Sequence, residues 1–224
     1  MTAKQRATAK DDVIAVIDKQ QKLAQVMNDT IFSFGELGFQ EIETSAYLTK
    51  MLTEKGFSVE KGIAGIPTAW IAKWGNGKPI IALGTDLDGI PKASQKPGVA
   101  YHDPIVQGAP GHGEGHNSGQ VVNIIAALAL KDYMEKNHIE GTIMLWPGVA
   151  EEQLATKAYY VKAGYFNDVD AVLYSHVGNG FGTMYGNPGM SGMVSVKYNF
   201  YGESAHSAAA PWRGKSALDA TARA

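Results

Sequence analysis

Two imidazoles and one carboxylate lie within five consecutive residues of a glycine-rich segment, residues 111–117. They belong to His112, Glu114 and His116, and such side chains are common ligands of divalent cations. The chain has no cysteine, so any metal ion must be bound through histidine, aspartate and glutamate. The segment by itself could also be a loop whose histidines bond to the backbone, and its meaning therefore depends on what lies beside it in the fold.

Three further groups of candidate ligands each follow a short apolar run, a pattern typical of a buried strand. The runs and the residues that follow them are 79–84 with Asp86 and Asp88, 142–146 with Glu151 and Glu152, and 171–174 with His176. In open α/β sheets, ligands bind beyond the carboxyl ends of the strands, so these side chains are expected to meet at one edge of a sheet. The sequence therefore predicts a hydrolytic metal site at that edge.

Each group also has a purely structural interpretation. The aspartates could stabilise a turn, the adjacent glutamates could complement the dipole at a helix start, and the histidines could be hydrogen-bonded core or loop residues. These interpretations are independent of one another, whereas a single metal site accounts for all the groups. The metal site is the favoured hypothesis, and a metal-free α/β domain is the alternative.

The two adjacent glutamates suit a division of labour in metal-dependent hydrolysis. One carboxylate can bind the ion while its neighbour takes a proton from water. Two successive side chains cannot both point at one ion from a regular element, so a turn over residues 148–152 is expected to let them diverge.

Strand-like and helix-like segments alternate along most of the chain. Amphipathic spacing predicts helices over residues 11–32, 41–54 and 156–162, and a long helix capped by Ser118. Strands are predicted over residues 68–74, 79–84, 142–146 and 171–174. This alternation favours the α/β class, as a three-layer αβα arrangement with a mostly parallel mixed sheet.

The segment after His176 has a different character. Residues 179–192 are rich in glycine, and residues 193–201 alternate apolar and polar side chains as in a strand with one solvated face. A helix is expected to open at Ser216 and to run to the last residue, Ala224. We therefore expect the start of a second, smaller domain that is cut off within its helix.

Composition and charge argue against several classes of function. The chain has 20 lysines and arginines and 22 aspartates and glutamates, and this balance gives no indication of a nucleic-acid or membrane partner. Residues 1–10 are polar and basic rather than a secretory signal, and no run reaches the roughly 20 apolar residues of a membrane span. A cytoplasmic protein that acts on a small molecule is the expectation.

Four motifs occur in an order that resembles a known family. They are Gly-Thr-Asp-Leu-Asp-Gly-Ile-Pro at 84–91, His-Gly-Glu-Gly-His-Asn at 112–117, Trp-Pro-Gly-Val-Ala-Glu-Glu at 146–152 and Gly-Glu-Ser-Ala-His-Ser-Ala at 202–208. The chain resembles the aminoacylase/carboxypeptidase amidohydrolases, which are dinuclear metallopeptidases, from about residue 30 to its last residue. The nearest branch is the aminobenzoyl-glutamate hydrolase and indole-acetyl-amino-acid hydrolase type.

The resemblance implies a domain organisation. It implies a zinc-peptidase-like catalytic, metal-binding domain over residues 1–189, present in part, and the start of an inserted ferredoxin-like (α+β) lid and dimerisation domain over residues 190–224. Family members are longer, and a segment that returns after the lid supplies a further histidine ligand. The chain is therefore expected to hold an incomplete site.

The resemblance also implies a role for each matching residue. Glu151 matches the general base, and Glu152, His116 and His176 match metal ligands. Asp88 matches the carboxylate that orients the site without binding the ion itself.

Two positions depart from the pattern of the branch, and one more residue carries an implied role. Glu114 stands where a cysteine usually bridges two metals, and Asn117 replaces an aspartate. Glu114 is a predicted ligand, whose oxygens should shift the preference of the two divalent ions from zinc toward manganese or cobalt. His206 matches a lid histidine that stabilises the oxyanion across a homodimer interface.

The implied activity is hydrolysis of the amide bond of N-acyl or N-aroyl amino acids or of short peptides. Two alternatives stay open. The chain could be a dipeptidase or aminopeptidase of the same family, or it could be a non-catalytic or impaired member that binds an amino-acid derivative or acts as an assembly partner.

Overall fold

The structure is a computed structural model that describes residues 2–186 and 192–224. The chain divides into two units, Met1–Met190 and Ser191–Ala224. The domain boundary predicted from the sequence, between residues 189 and 190, falls outside the described residues. Within those residues, no helix combines the length and the hydropathy that crossing a membrane requires.

A five-stranded mixed sheet forms the centre of the first unit. Its strands are β1 (Ser58–Lys61), β2 (Trp70–Asn76), β3 (Ile80–Asp86), β4 (Gly141–Gly148) and β5 (Ala171–Tyr174). The spatial order is β1-β2-β4-β3-β5. β4, β3 and β5 are parallel, whereas β1 and β2 are antiparallel to their neighbours. The predicted α/β fold with a mixed sheet is confirmed. The parallel strands are those whose carboxyl ends precede the predicted ligands.

Seven α-helices are present in the described residues. They are α1 (Ala3–Asp18), α2 (Gln21–Phe34), α3 (Ile42–Glu54), α4 (His116–Asn137), α5 (Glu151–Leu154), α6 (Lys157–Lys162) and α7 (Ala217–Arg223). The prediction of one helix over residues 11–32 is wrong, because the chain turns at Lys19 and Gln20 between α1 and α2. No glycine or proline marks this break, so the sequence contains no local signal for it.

Helices cover both faces of the sheet. Side chains of adjacent residues on a strand point to opposite faces. A β-carbon on Gly84 would collide with the ring of Trp146, which packs edge-on against Tyr160 of α6. The next residue of the strand is Thr85, and a β-carbon on Gly119 of α4 would lie 2.2 Å from its hydroxyl oxygen. α4 and α6 therefore lie on opposite sides, which gives the three layers.

The start of α4 differs from the prediction, and the difference matters for the site. The predicted cap, Ser118, lies inside the helix, and its hydroxyl donates to the carbonyl of Gly115 at 2.8 Å. Gly115 is the N-cap and has φ +92°, a conformation that glycine adopts without strain. Consequently His116 is the first residue of the helix and is buried.

The second unit contains little regular structure in its described residues, 192–224. Glu203 and Lys215 form an isolated antiparallel bridge, and Ser216 caps α7 by accepting a hydrogen bond from the amide of Asp219. The prediction of a strand over residues 193–201 is wrong, because these residues pair with no described segment. A single strand without a neighbour leaves its backbone groups without partners.

Candidate metal centre

The carboxyl ends of β3, β4 and β5 bring most of the predicted residues together. Two overlapping groups of side chains have ligand atoms that all lie within 4.8 Å of one another: Asp86, His116 and His176, and Glu114, His116, Glu151 and Glu152. His116 belongs to both groups. The convergence on which the predicted site depends is therefore present in the first unit.

The imidazoles of His116 and His176 face each other through the same ring atom. The Nδ1 of His116 lies 2.8 Å from the carbonyl of Asp88, and the Nδ1 of His176 lies 2.8 Å from the carbonyl of Val177. A carbonyl can only accept, so each Nδ1 carries a hydrogen, and the tautomer with its hydrogen on Nδ1 presents a lone pair on Nε2. The two Nε2 atoms are 3.3 Å apart.

This arrangement fits a bound cation. Two facing lone pairs repel each other unless a positive charge lies between them. Two imidazoles on one tetrahedral ion, with bonds of about 2.05 Å, have nitrogens roughly 3.3 Å apart. The hydrogen bonds to backbone carbonyls on the far side of each ring are the partners that orient histidine ligands in metal sites.

Carboxylates complete the donor set on the same side. The carboxylate of Glu114 lies 3.6 Å from the Nε2 of His116 and 3.6 Å from that of His176. Burial, a hydrogen bond to Glu114 and repulsion from neighbouring carboxylates raise the pKa of Glu152 to about 8, and the bond from Glu152 lowers the pKa of Glu114. These opposite shifts are those of a carboxyl pair that holds one proton between its members, and a cation bound there would replace that proton.

One orphaned atom supports the same conclusion. The Oε1 of Glu152 is buried and has no hydrogen-bond partner among the described residues. Buried polar atoms without partners are rare in native structures, and an ion is one of the recognised explanations. The donor chemistry and the unsatisfied oxygen both fit a divalent cation at this edge of the sheet. Of the four predicted ligands, Glu114, His116 and Glu152 belong to one group of converging side chains, and His116 and His176 belong to the other.

Asp88 holds the surrounding backbone. Its carboxylate accepts the amides of Glu151 and Glu152, each at 3.1 Å, while its carbonyl accepts from His116. Desolvation raises the pKa of Asp88 to about 6, although the amide of Glu152 opposes the rise. The side chain of Asp88 therefore contacts the backbone of both glutamates. Its role as the group that orients the site, which the resemblance implies, stays a prediction.

Asp86 is engaged by two residues that sequence reasoning did not single out. The ammonium of Lys157 lies 2.6 Å from Oδ1, and the hydroxyl of Tyr174 donates to Oδ2. Burial and the adjacent Asp86 raise the pKa of Tyr174, so its hydroxyl stays protonated. Both oxygens of this buried carboxylate are therefore occupied, although Oδ2 is 3.9 Å from the Nε2 of His176. A lysine six positions after Glu151 gives no signal in the sequence alone.

The remaining predicted histidines lie outside the two ligand groups. His112 is buried, its Nε2 lies 3.2 Å from the carbonyl of Ile31, and desolvation lowers its pKa to about 4. It is therefore neutral and joins the loop before α4 to α2. His206 belongs to the second unit, where its Nδ1 accepts the amides of Ala208 and Ala209 at 3.2 and 3.0 Å.

Comparison with known proteins gives consistent relatives. No family model matches the chain. It is 35% identical over 192 residues to one of the subunits of the p-aminobenzoyl-glutamate hydrolase of Escherichia coli, covering 86% of this chain and 40% of that protein. It is 29% identical over 211 residues to the Xaa-Arg dipeptidase of Mus musculus, covering 91% of this chain and 46% of the relative.

A solved structure shares the fold. The YXEP protein of Bacillus subtilis, described as a dinuclear metal-binding peptidase from the M20 family, superposes with a TM-score of 0.56 at 22% identity, over 72% of this chain and 43% of that one. The chain thus spans less than half the length of each of these three proteins. From the sequence relatives, the ordered motifs and the shared fold together, the chain belongs to the aminoacylase/carboxypeptidase family of dinuclear metallopeptidases.

Proposed function

We propose that the protein hydrolyses the amide bond of N-acyl or N-aroyl amino acids or of short peptides, with the help of divalent cations. The observation that carries the proposal is the facing pair of Nε2 atoms, 3.3 Å apart, beside the carboxyl pair Glu114–Glu152. The names of the two sequence relatives, a p-aminobenzoyl-glutamate hydrolase and a dipeptidase, support an amide substrate.

The proposed ligands are Glu114, His116, Glu152 and His176. When bound, divalent ions supply Lewis acidity, which polarises an amide carbonyl and makes a water molecule more acidic. Two ions are proposed, as the resemblance implies. The oxygen donors of the two glutamates favour manganese or cobalt, and the imidazoles are equally suited to zinc.

Glu151 is the proposed general base. Its amide donates to Asp88, and its carboxylate lies 3.9 Å from the ammonium of Lys157. The carboxylate removes a proton from the attacking water and then returns that proton to the leaving amine nitrogen. Glu152, one residue further, would hold an ion while Glu151 moves the proton.

The assembly and compartment follow from the resemblance and the composition. We propose a homodimer in which His206 of one protomer donates to the oxyanion formed in the site of the other. The proposed partner is a small-molecule substrate, with neither nucleic acid nor membrane involved, because the charge is balanced. A cytoplasmic location is proposed on the same composition.

A hydrolysis assay tests the proposed function. The full-length protein, supplied with manganese, cobalt or zinc, is incubated with p-aminobenzoyl-glutamate and with dipeptides, and release of the free amine is followed. We expect turnover that a chelator abolishes and that returns with metal. Glu151→Gln should bind metal normally and lose nearly all turnover, whereas the exposed Glu140→Gln should behave as wild type. Turnover that survives in Glu151→Gln rules out the general-base assignment.

A further inference from the structure

The backbone just before the proposed general base adopts a strained conformation. Ala150, the N-cap of α5, has φ +49° and ψ +37°, in the left-handed region that residues other than glycine seldom adopt. Ala150 is fully buried, so water cannot accept its amide hydrogen. A conformation of this kind persists only where surrounding groups determine it.

Glu41 supplies the group that determines it. The side chain is fully buried, its Oε1 accepts the amide of Ala150 at 2.7 Å, and its Oε2 accepts the hydroxyl of Thr68 at 2.8 Å. Glu41 is the N-cap residue of α3, but its side chain makes no hydrogen bond to the start of that helix and bonds to the turn instead. The carboxylate is 109 positions from Ala150 in sequence, so the bond fixes the turn from a separate element.

Glu41 and Asp88 together accept three consecutive amides. Ala150 donates to Glu41, and the next two residues, Glu151 and Glu152, donate to the two oxygens of Asp88. Gly38 packs directly against this turn. A β-carbon at Gly38 would lie 2.7 Å from the α-carbon of Ala150 and 3.1 Å from Oδ2 of Asp88. The three amides at the turn that carries the two glutamates are thus each bound by a buried carboxylate.

We infer that Glu41 is a positioning residue for the general base. This inference rests on the proposed function, since it gives Glu41 its effect through Glu151. Glu41 holds Ala150 in the left-handed conformation, and that conformation sets the directions in which the two glutamate side chains leave the turn. Its contacts are with the amide of Ala150 and the hydroxyl of Thr68, so it acts on Glu151 through the backbone of the turn. A glutamate at the start of an amphipathic helix has the sequence signature of a solvated acid, so the pattern alone conceals this role.

Turnover provides the first test, with Glu43→Gln as the matched control because Glu43 is exposed on the same helix. Glu41→Ala removes the acceptor and should lower kcat by about 100-fold with KM changed less than about twofold, as for a displaced catalytic group. Glu41→Gln keeps an acceptor oxygen, so kcat should fall by only about tenfold. Glu43→Gln should match the wild type. Unchanged kcat in folded Glu41→Ala overturns the inference.

Amide hydrogen exchange provides a second test that does not depend on activity. In metal-free Glu41→Gln, the amides of residues 150–152 should exchange at least about tenfold faster, while those of β4 stay protected. If the Glu41 variants do not fold, Thr68→Val replaces them, because it removes only the hydrogen bond to Oε2 of Glu41. In this variant, exchange of the same amides should be several-fold faster. Unchanged exchange at these amides contradicts the inference. If the wild type has no turnover but exchange is faster in the variant, the result supports the positioning role of Glu41. The same result contradicts the amidohydrolase proposal.

Discussion

Strands β4 and β5 both end at the candidate metal centre, yet they lie in opposite environments. All eight residues of β4 are buried, and all four residues of β5 are exposed. The imidazoles show the same contrast: the side chain of His116 is 2% exposed and that of His176 is 34% exposed. One half of the site is therefore fixed by the core, whereas the other half lies at the surface of the described unit.

The difference teaches how the site is organised. The ring of His116 and the backbone amides of the two glutamates after β4 are held by hydrogen bonds to Asp88, so these groups are placed without a bound ion. His176 bonds through Nδ1 to the carbonyl of the adjacent Val177, a contact within its own loop. We expect a cation to order the His176 side and to leave the His116 side as it is.

Replacing each imidazole in turn should show how the two halves of the site differ. The loss of metal affinity in these variants is the largest effect that we expect. Either His116→Ala or His176→Ala should weaken metal binding by more than about 100-fold, because even outer-shell partners of ligands are worth 10–100-fold. In metal-free protein, only His116→Ala should also lower the free energy of unfolding, by about 2 kcal/mol, since it removes a buried hydrogen-bonded group. Metal titration and thermal denaturation with a chelator measure the two effects. Equal stability losses in both variants would remove the distinction between the halves.

Lys157 tests whether the buried carboxylate of Asp86 needs its counter-ion. Lys157→Met should destabilise the protein by about 2 kcal/mol, less than for a fully buried pair because the lysine side chain is 29% exposed. Lys50→Met is the control: its pair with Glu54 is mostly exposed and should be worth less than about 0.5 kcal/mol. Denaturant unfolding compares the variants. Similar losses for both lysines would show that Asp86 does not depend on Lys157.

The pH dependence of metal binding tests the carboxyl pair. The pKa of Glu152 is raised to about 8 in the metal-free protein, so below that pH a proton must leave before the carboxylate binds an ion. Affinity should therefore rise up to about tenfold per pH unit from pH 6 toward 8 and then level off, with about one proton released at pH 7. Calorimetry in two buffers of different ionisation enthalpy counts the proton. Glu114→Gln should reduce the count because it removes the partner carboxylate, and a pH-independent affinity would exclude the shared proton.

Much of the fold could be predicted because its signals are local. The apolar runs of β3, β4 and β5 and the acids and histidine that follow them are visible in short windows, and parallel strands bring such ends to one edge. β1 was not predicted, because Ser58–Lys61 is a polar, mostly exposed edge strand. The break between α1 and α2 has no breaker residue.

The parts of the site that could not be predicted depend on contacts between distant residues. Lys157 and Tyr174 reach Asp86 across 71 and 88 positions, and Glu41 reaches Ala150 across 109. Nothing in the local pattern of a lysine, a tyrosine or a helix-capping glutamate indicates which backbone or carboxylate it will meet. Chemistry-bearing residues are visible in the sequence, but the residues that hold them in place are visible only in the fold.

The most direct measurement is anomalous scattering from crystals grown with manganese or zinc. We predict a peak about 2.0–2.3 Å from the Nε2 atoms of both His116 and His176, with carboxylate oxygens of Glu114 or Glu152 in the same coordination sphere. A crystal of the folded, metal-supplied protein with no peak between these two nitrogens would contradict the account.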